Sequence, residues 1–126
     1  MILFGKPVAD TVLDSIQKSV EHLPIKPHLA VILVGNNEAS QSYIRMKRRA
    51  CERVGFDFTL IQKETNISEM ELIQSIEELN QNPHIHGIIV QSPIPSHMNY
   101  QHIIEHIDPK KDVDGFTTYR IGNLFL

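Results

Sequence analysis

The sequence predicts an α/β fold, a three-layer arrangement in which a parallel or mostly parallel sheet carries helices on both faces. Three observations predict it. Apolar residues spaced by threes and fours alternate along the chain with short apolar runs, so helix and strand signals take turns. The segments between successive strand signals are long enough to hold a helix, the connection that parallel strands need. Two of the runs, "LAVILV" and "HGIIV", lack the polar alternation of a half-solvated strand, as expected of strands covered on both sides.

The first helical pattern passes through Val8, Val12, Leu13, Ile16, Val20 and Leu23, one apolar stripe. "LPIKP" ends it, because neither Pro24 nor Pro27 can continue a helix. Leu29–Val34 is the first buried strand, closed by Gly35. A helix follows from about Ala39 to Val54, with Gly55 just past its end, where a left-handed residue stops a helix most easily. "FDFTLIQ" sets Phe56, Phe58 and Leu60 against polar neighbours and reads as the second strand. Ser68 and Glu71 have capping-box spacing, and Leu72, Ile73, Ile76 and Leu79 give the helix behind them its buried stripe. "HGIIVQ" is the third strand, ended by "SPIPS". A short helix through Ile103, Ile104 and Ile107 then leads to the turn-rich "DPKKDVDG".

A chain of 126 residues is one domain with room for a true core, and 41% hydrophobic with 21% charged residues is the balance of a soluble globular protein. Its net charge of -3 argues against a general affinity for nucleic acid. The longest apolar run is far too short to span a bilayer, so no membrane is expected either. The start, "MILFGKPVADTV", has a lysine behind its apolar patch and no small-residue cleavage site, unlike a secretory signal. Cytoplasm is the expected compartment. Cys51 is the one cysteine, which excludes an internal disulfide; in mid-helix without a partner it is expected to be structural.

In such a sheet, ligands bind beyond the carboxyl ends of the strands, and the polar candidates follow strand ends. Tyr43 and Lys47 are an i,i+4 pair and can face one ligand from one side of a helix. A lysine serves as base or proton donor when burial lowers its pKa; the bland alternative is two stems packed at a surface. The third strand delivers Gln91 into a loop stiffened by Pro93 and Pro95, where an amide can hydrogen-bond the amine without adding a negative charge. "KKDVDGF" sets Asp112 and Asp114 before the turn at Gly115. A fixed carboxylate there suits two ring N–H donors, as on an amino-pyrimidine or pterin edge, while either acid could instead bond only its own loop. Lys47, Arg48, Arg49 and Arg53 read as a solvated helix face able to attract an anionic tail.

Two other readings find less support. Tyr-x-x-x-Lys is also the acid–base pair of short-chain dehydrogenases, but those open with a glycine-rich nucleotide turn, and "VGNNEAS" has one glycine. Seven histidines, among them His84 with His86 and His102 with His106, invite a metal. Neither thiolates nor a recognised zinc spacing accompany them, and no metal is expected.

Taken in order, "ASQSYIRMK", "GIIVQSPIP" and "KKDVDGFTTYRIGNL" resemble the catalytic domain of the bifunctional methylenetetrahydrofolate dehydrogenase/cyclohydrolase family, from "GKPVA" near the start to "IGNL" near the end. The resemblance implies one folate-binding catalytic domain over residues 1–126. It implies oxidation of 5,10-methylenetetrahydrofolate to the methenyl form with NADP (NAD in some members), then hydrolysis to 10-formyltetrahydrofolate. Lys47 matches the catalytic lysine, Tyr43 the tyrosine lining the folate site, Gln91 the glutamine that holds the lysine, and Asp114 the carboxylate that anchors the pterin. Pro93 and Gly115 complete the implied substrate contacts.

The chain departs from the pattern at Ser92, where a larger apolar residue is usual, and at Asn36 and Glu38, where Asp and Pro are frequent. Family members continue into a Rossmann domain that carries the dinucleotide, and a last helix returns to cover the first domain. On this resemblance the chain is expected to be a fragment without its own NADP site, not a dehydrogenase by itself. It is expected to be able to stand as a monomer where the longer parent is a homodimer. A non-catalytic small-molecule-binding or assembly module of the same fold is the alternative.

Overall fold

The structure, a computed structural model, describes residues 5–124; Met1–Phe4, part of the start weighed above as a leader, lie outside the described residues. In chain order the elements are α1 (Gly5–Glu21), β1 (His28–Val34), α2 (Glu38–Val54), β2 (Asp57–Lys63), α3 (Glu69–Gln81), β3 (Gly87–Val90), α4 (Tyr100–Ile104) and α5 (Thr118–Asn123). The three strands form one parallel sheet in the order β2-β1-β3. The chain leaves β1 toward one edge and returns across it to the other. With right-handed crossovers that reversal sends α2 and α3 to opposite faces.

Packing follows this division. Val31, Leu33 and Ile89 meet Ile44 of α2 on one face, with Phe58 and Leu60 beside them. Ala30, Ile32, Val34, Ile88 and Val90 meet Leu72, Ile76 and Leu79 of α3 and Ile103 and Ile104 of α4 on the other. Successive residues of β1 point to opposite faces, and both faces are covered, so Ala30 through Val34 are all buried. That is why "LAVILV" does not alternate. β2 is the edge strand and stays half-exposed.

Two expectations shift. α1 packs along α2 rather than on the sheet, and none of its residues is fully buried. Leu13, Ile16 and Val20 are half-covered, whereas Val8 and Val12 stand in solvent and Leu23 lies beyond the helix end. Phe56 precedes β2 instead of opening it: its N–H donates to the Cys51 carbonyl at 2.9 Å and helps close α2, with Gly55 left-handed at φ 87°. α5, which no apolar periodicity announces, starts at Thr117, whose hydroxyl accepts from the Arg120 N–H.

Candidate active site

The strand order reverses at β1, so the carboxyl ends of β1 and β3 flank the switch point where α/β sheets open a binding crevice. Asn37 begins α2 directly after β1, its side chain accepting from the Ser40 N–H at 3.0 Å. An asparagine in that position offers the helix start the acceptor that its free N–H groups need. From this start the helical repeat carries Ser40, Tyr43 and Lys47 along one flank of α2.

Lys47 is half-buried, and its Nζ donates to Gln91 Oε1 at 2.5 Å. Gln91 is 7% exposed; its backbone N–H continues the β1–β3 ladder by donating to the Ile32 carbonyl at 2.9 Å. The side-chain amide is therefore delivered by the sheet itself. Tyr43, one turn before Lys47 on α2, is 55% exposed. Pro93 is exposed in the loop beyond, after a cis Ser92–Pro93 bond.

The acidic turn reaches the same place along β3. Ile88 donates to the Lys111 carbonyl at 2.8 Å and pairs with Asp112 in a parallel bridge. Gly87 permits the approach: a Cβ there would lie 2.7 Å from Val113 Cγ1. Asp112 is buried and spends both carboxylate oxygens on its own loop, accepting from Gly115 N–H and Thr117 N–H at 3.0 Å each. Gly115 sits at φ 73°, a left-handed turn, and its N–H is already used. Asp114 is the acid left facing outward. The surrounding protein withdraws water from its carboxyl and pushes its pKa up; the charge of Lys47 pulls it back down, and Asp112 raises it further. Lys47 and Asp114 are thus near enough for their charges to interact. The question left by the sequence, which acid serves only its loop, is answered in favour of Asp112.

The basic cluster does not form one face. Arg53 ion-pairs with Asp10 at 2.7 Å and Asp14 at 2.9 Å, tying α2 to α1, and Arg48 lies over the Phe58 ring at 5.0 Å. Lys47 alone of the cluster turns to Gln91. The histidines have other partners: His86 Nδ1 accepts from the His28 N–H, while His102 and His106 pack edge-to-face at 5.3 Å and approach Glu69 and Glu77. Among the described residues no three His, Cys, Asp or Glu side chains gather as a metal would require.

Sequence reasoning missed three side chains. Ser40, fully buried, donates its hydroxyl to the Ser92 carbonyl at 3.3 Å. Tyr100 donates to the Val90 carbonyl at 3.1 Å; burial pushes its phenol up, and Asp114 and Asp112 add to that. Lys111 donates to the carbonyls of Leu79, Asn80 and Asn82 at 2.8–2.9 Å, anchoring the acidic turn to the end of α3. The partners of these three lie between 10 and 52 positions away, so local spacing could not reveal them.

Comparison with known proteins adds the following. Residues 3–114 match the family model described as tetrahydrofolate dehydrogenase/cyclohydrolase, catalytic domain. The chain is 44% identical to the bifunctional protein FolD of Nautilia profundicola over 126 residues, 98% of this chain and 44% of that one. It is 49% identical to FolD 1 of Hydrogenovibrio crunogenus, over 98% of this chain and 45% of that one. The chain therefore spans less than half the length of these relatives. The crystal structure of the bifunctional FolD from Campylobacter jejuni superposes with a TM-score of 0.94 at 38% identity, covering 95% of this chain and 44% of that one. That of the Trypanosoma brucei FolD, complexed with NADP cofactor and inhibitor, superposes at 0.93 with 27% identity, covering 100% and 44%.

Proposed function

The chain belongs to the tetrahydrofolate dehydrogenase/cyclohydrolase catalytic-domain family, and from that premise we propose that it is the folate-binding catalytic domain of a bifunctional enzyme. The longer enzyme oxidises 5,10-methylenetetrahydrofolate to the methenyl form and hydrolyses that to 10-formyltetrahydrofolate. The observation that carries this reading is the Lys47–Gln91 bond at the switch point, with Asp114 close enough to respond to the lysine's charge.

The described residues offer no cradle for a dinucleotide. The turn after β1 holds one glycine, and a Cβ on Gly35 would meet the Thr65 hydroxyl at 3.0 Å instead of opening space for a pyrophosphate. NADP, the hydride acceptor, is assigned to the part of the enzyme that lies outside this chain. The work of these residues is on the folate side.

Asp114, ionised, takes two N–H donors of the pterin edge, and Tyr43 packs its ring on the substrate's aromatic system. Lys47 stands by the one-carbon bridge. In hydrolysis the methenyl carbon is part of a cationic amidine and already electrophilic, so water needs orientation and proton removal more than activation. Lys47 takes the proton, as general base, as the water oxygen bonds to that carbon. The adduct's hydroxyl oxygen then closes the C=O and releases its proton to solvent as the bond from the carbon to N5 breaks; N5 keeps the electron pair and receives the proton that Lys47 took, and the formyl group stays on N10. Gln91 Oε1 accepts from the lysine in either protonation state and adds no charge that would hold it protonated. Cytoplasm is the proposed compartment, in keeping with a single buried, free cysteine.

Calorimetric titration of the chain with a methenyltetrahydrofolate analogue tests the reading, using wild type, Lys47→Ala and Asp114→Ala. Binding that falls with Asp114→Ala supports it. No binding by wild type, repeated on a chimera completed with the remainder of the Nautilia relative, replaces it with a non-catalytic module.

A further inference from the structure

We infer that Ser40 is a positioning residue of this site, its buried hydroxyl setting the orientation of the Gln91 amide and, through it, the Lys47 amine. The inference rests on the reading of Lys47 as the working amine. An amide side chain has two unlike ends, and only one of them suits a lysine: the oxygen accepts from Nζ, whereas the NH2 would oppose one donor with another. Gln91 shows the productive choice, with Oε1 toward Lys47 at 2.5 Å and Nε2 donating to the Ser92 carbonyl at 3.2 Å. The carbonyl can only accept, so wherever it stands it draws the NH2 end to itself and leaves the oxygen for the lysine.

What holds that carbonyl is Ser40. Its hydroxyl donates to the same Ser92 oxygen at 3.3 Å, from 52 positions away in sequence. Ser40 is itself fixed on both sides: its backbone N–H donates to the Asn37 cap, and its side chain is 0% exposed in the first turn of α2. Water does not reach the hydroxyl to replace it. The Ser92 carbonyl thus receives two donors, one from the helix bearing Lys47 and one from the strand end bearing Gln91, and locks the two together at the mouth of the crevice. Ser92 is exposed, so without Ser40 its carbonyl has one tether fewer and the amide can turn over.

A purely structural role would be different. A buried serine that merely satisfied its hydroxyl at a helix start would affect stability without touching Gln91. The test reads the amide directly. In proton–nitrogen NMR of the chain without folate, one Gln91 side-chain proton is expected away from the free-amide position. Ser40→Ala should return it toward that position and weaken affinity for the methenyltetrahydrofolate analogue by about fivefold, the loss of one neutral hydrogen bond. Ser40→Thr, which keeps the hydroxyl, should restore both. If Ser40→Ala does not fold, Ser40→Cys keeps the volume with a weaker donor, and the same proton should move.

Gln91 amide resonances unchanged in a folded Ser40→Ala or Ser40→Cys variant overturn the inference. Failure of wild type to bind folate overturns the proposed function instead, and the amide signal still decides the role of Ser40.

Discussion

At the scale of single residues, Lys47 and Asp114 stand near enough for their charges to interact but should fail in different ways. In the chimera completed as above, Lys47→Ala is expected to lower hydrolysis of methenyltetrahydrofolate about 10²- to 10⁴-fold, the range of a lost general base, as read from the absorbance of the methenyl bridge. Asp114→Asn keeps the shape and removes the charge. It should weaken folate binding roughly ten- to a hundredfold by calorimetry, since hydrogen bonds to a charged group are worth about 1.5–3 kcal/mol. Its effect on stability has the opposite sign. The fold raises the Asp114 pKa, so it favours the neutral acid; stability from this group is full below the unfolded pKa and is lost as pH rises through the folded one. Asp114→Asn should therefore be no less stable than wild type at pH 7 and indistinguishable from it in acid, by thermal melts across pH. Lys47, Tyr43 and Gln91 could be singled out as candidates in the sequence, because each side chain carries its chemistry with it and follows a strand; Asp114 was set apart from Asp112 only by the family resemblance. Ser40 could not be singled out, because a serine is neutral in meaning until its tertiary partner is known.

Elements of secondary structure matter here as supports. α3 ends pointing its free carbonyls at Lys111, whose three hydrogen bonds both cap the helix and hold the turn that presents Asp114. Lys111→Met keeps the apolar stem and removes the donors. It is expected to cost about 1.5–3 kcal/mol in urea unfolding, and to weaken folate binding without touching the crevice. The beginning of α3 shows how much an element can say alone. Ser68 and Glu71 form the capping box in both directions, at 3.0 and 3.1 Å, where spacing placed it. α1 shows the converse. Its apolar stripe foretold a helix but not its neighbour, and it lies on α2, where only half the stripe is covered.

The whole molecule depends on β1, the central strand among those described, with a strand on each side and helices over each face. Ile76 of α3 is fully buried against it, and Ile76→Ala should destabilise the fold by about 2–5 kcal/mol, the lost transfer energy plus an unfilled cavity, by denaturant titration. If Ile76→Ala remains folded, Lys47 should still meet Gln91, since that contact rests on the α2 face and on the strand ends. Core and site are thus separable: one lies within the sheet's two faces, the other at its carboxyl edge.

The sequence by itself determined the layers, the parallel sheet and the residue types of the crevice, because apolar period and strand-end position are local properties that burial enforces residue by residue. It also carried the family, through motifs in order. Only the tertiary structure decided that Asp112 spends both oxygens on its own loop, that Arg53 turns to α1 and Arg48 to Phe58, and which serine bonds the Ser92 carbonyl. Most of those choices rest on contacts between segments far apart in the chain, and direction and distance between such segments exist only once the sheet has brought them together.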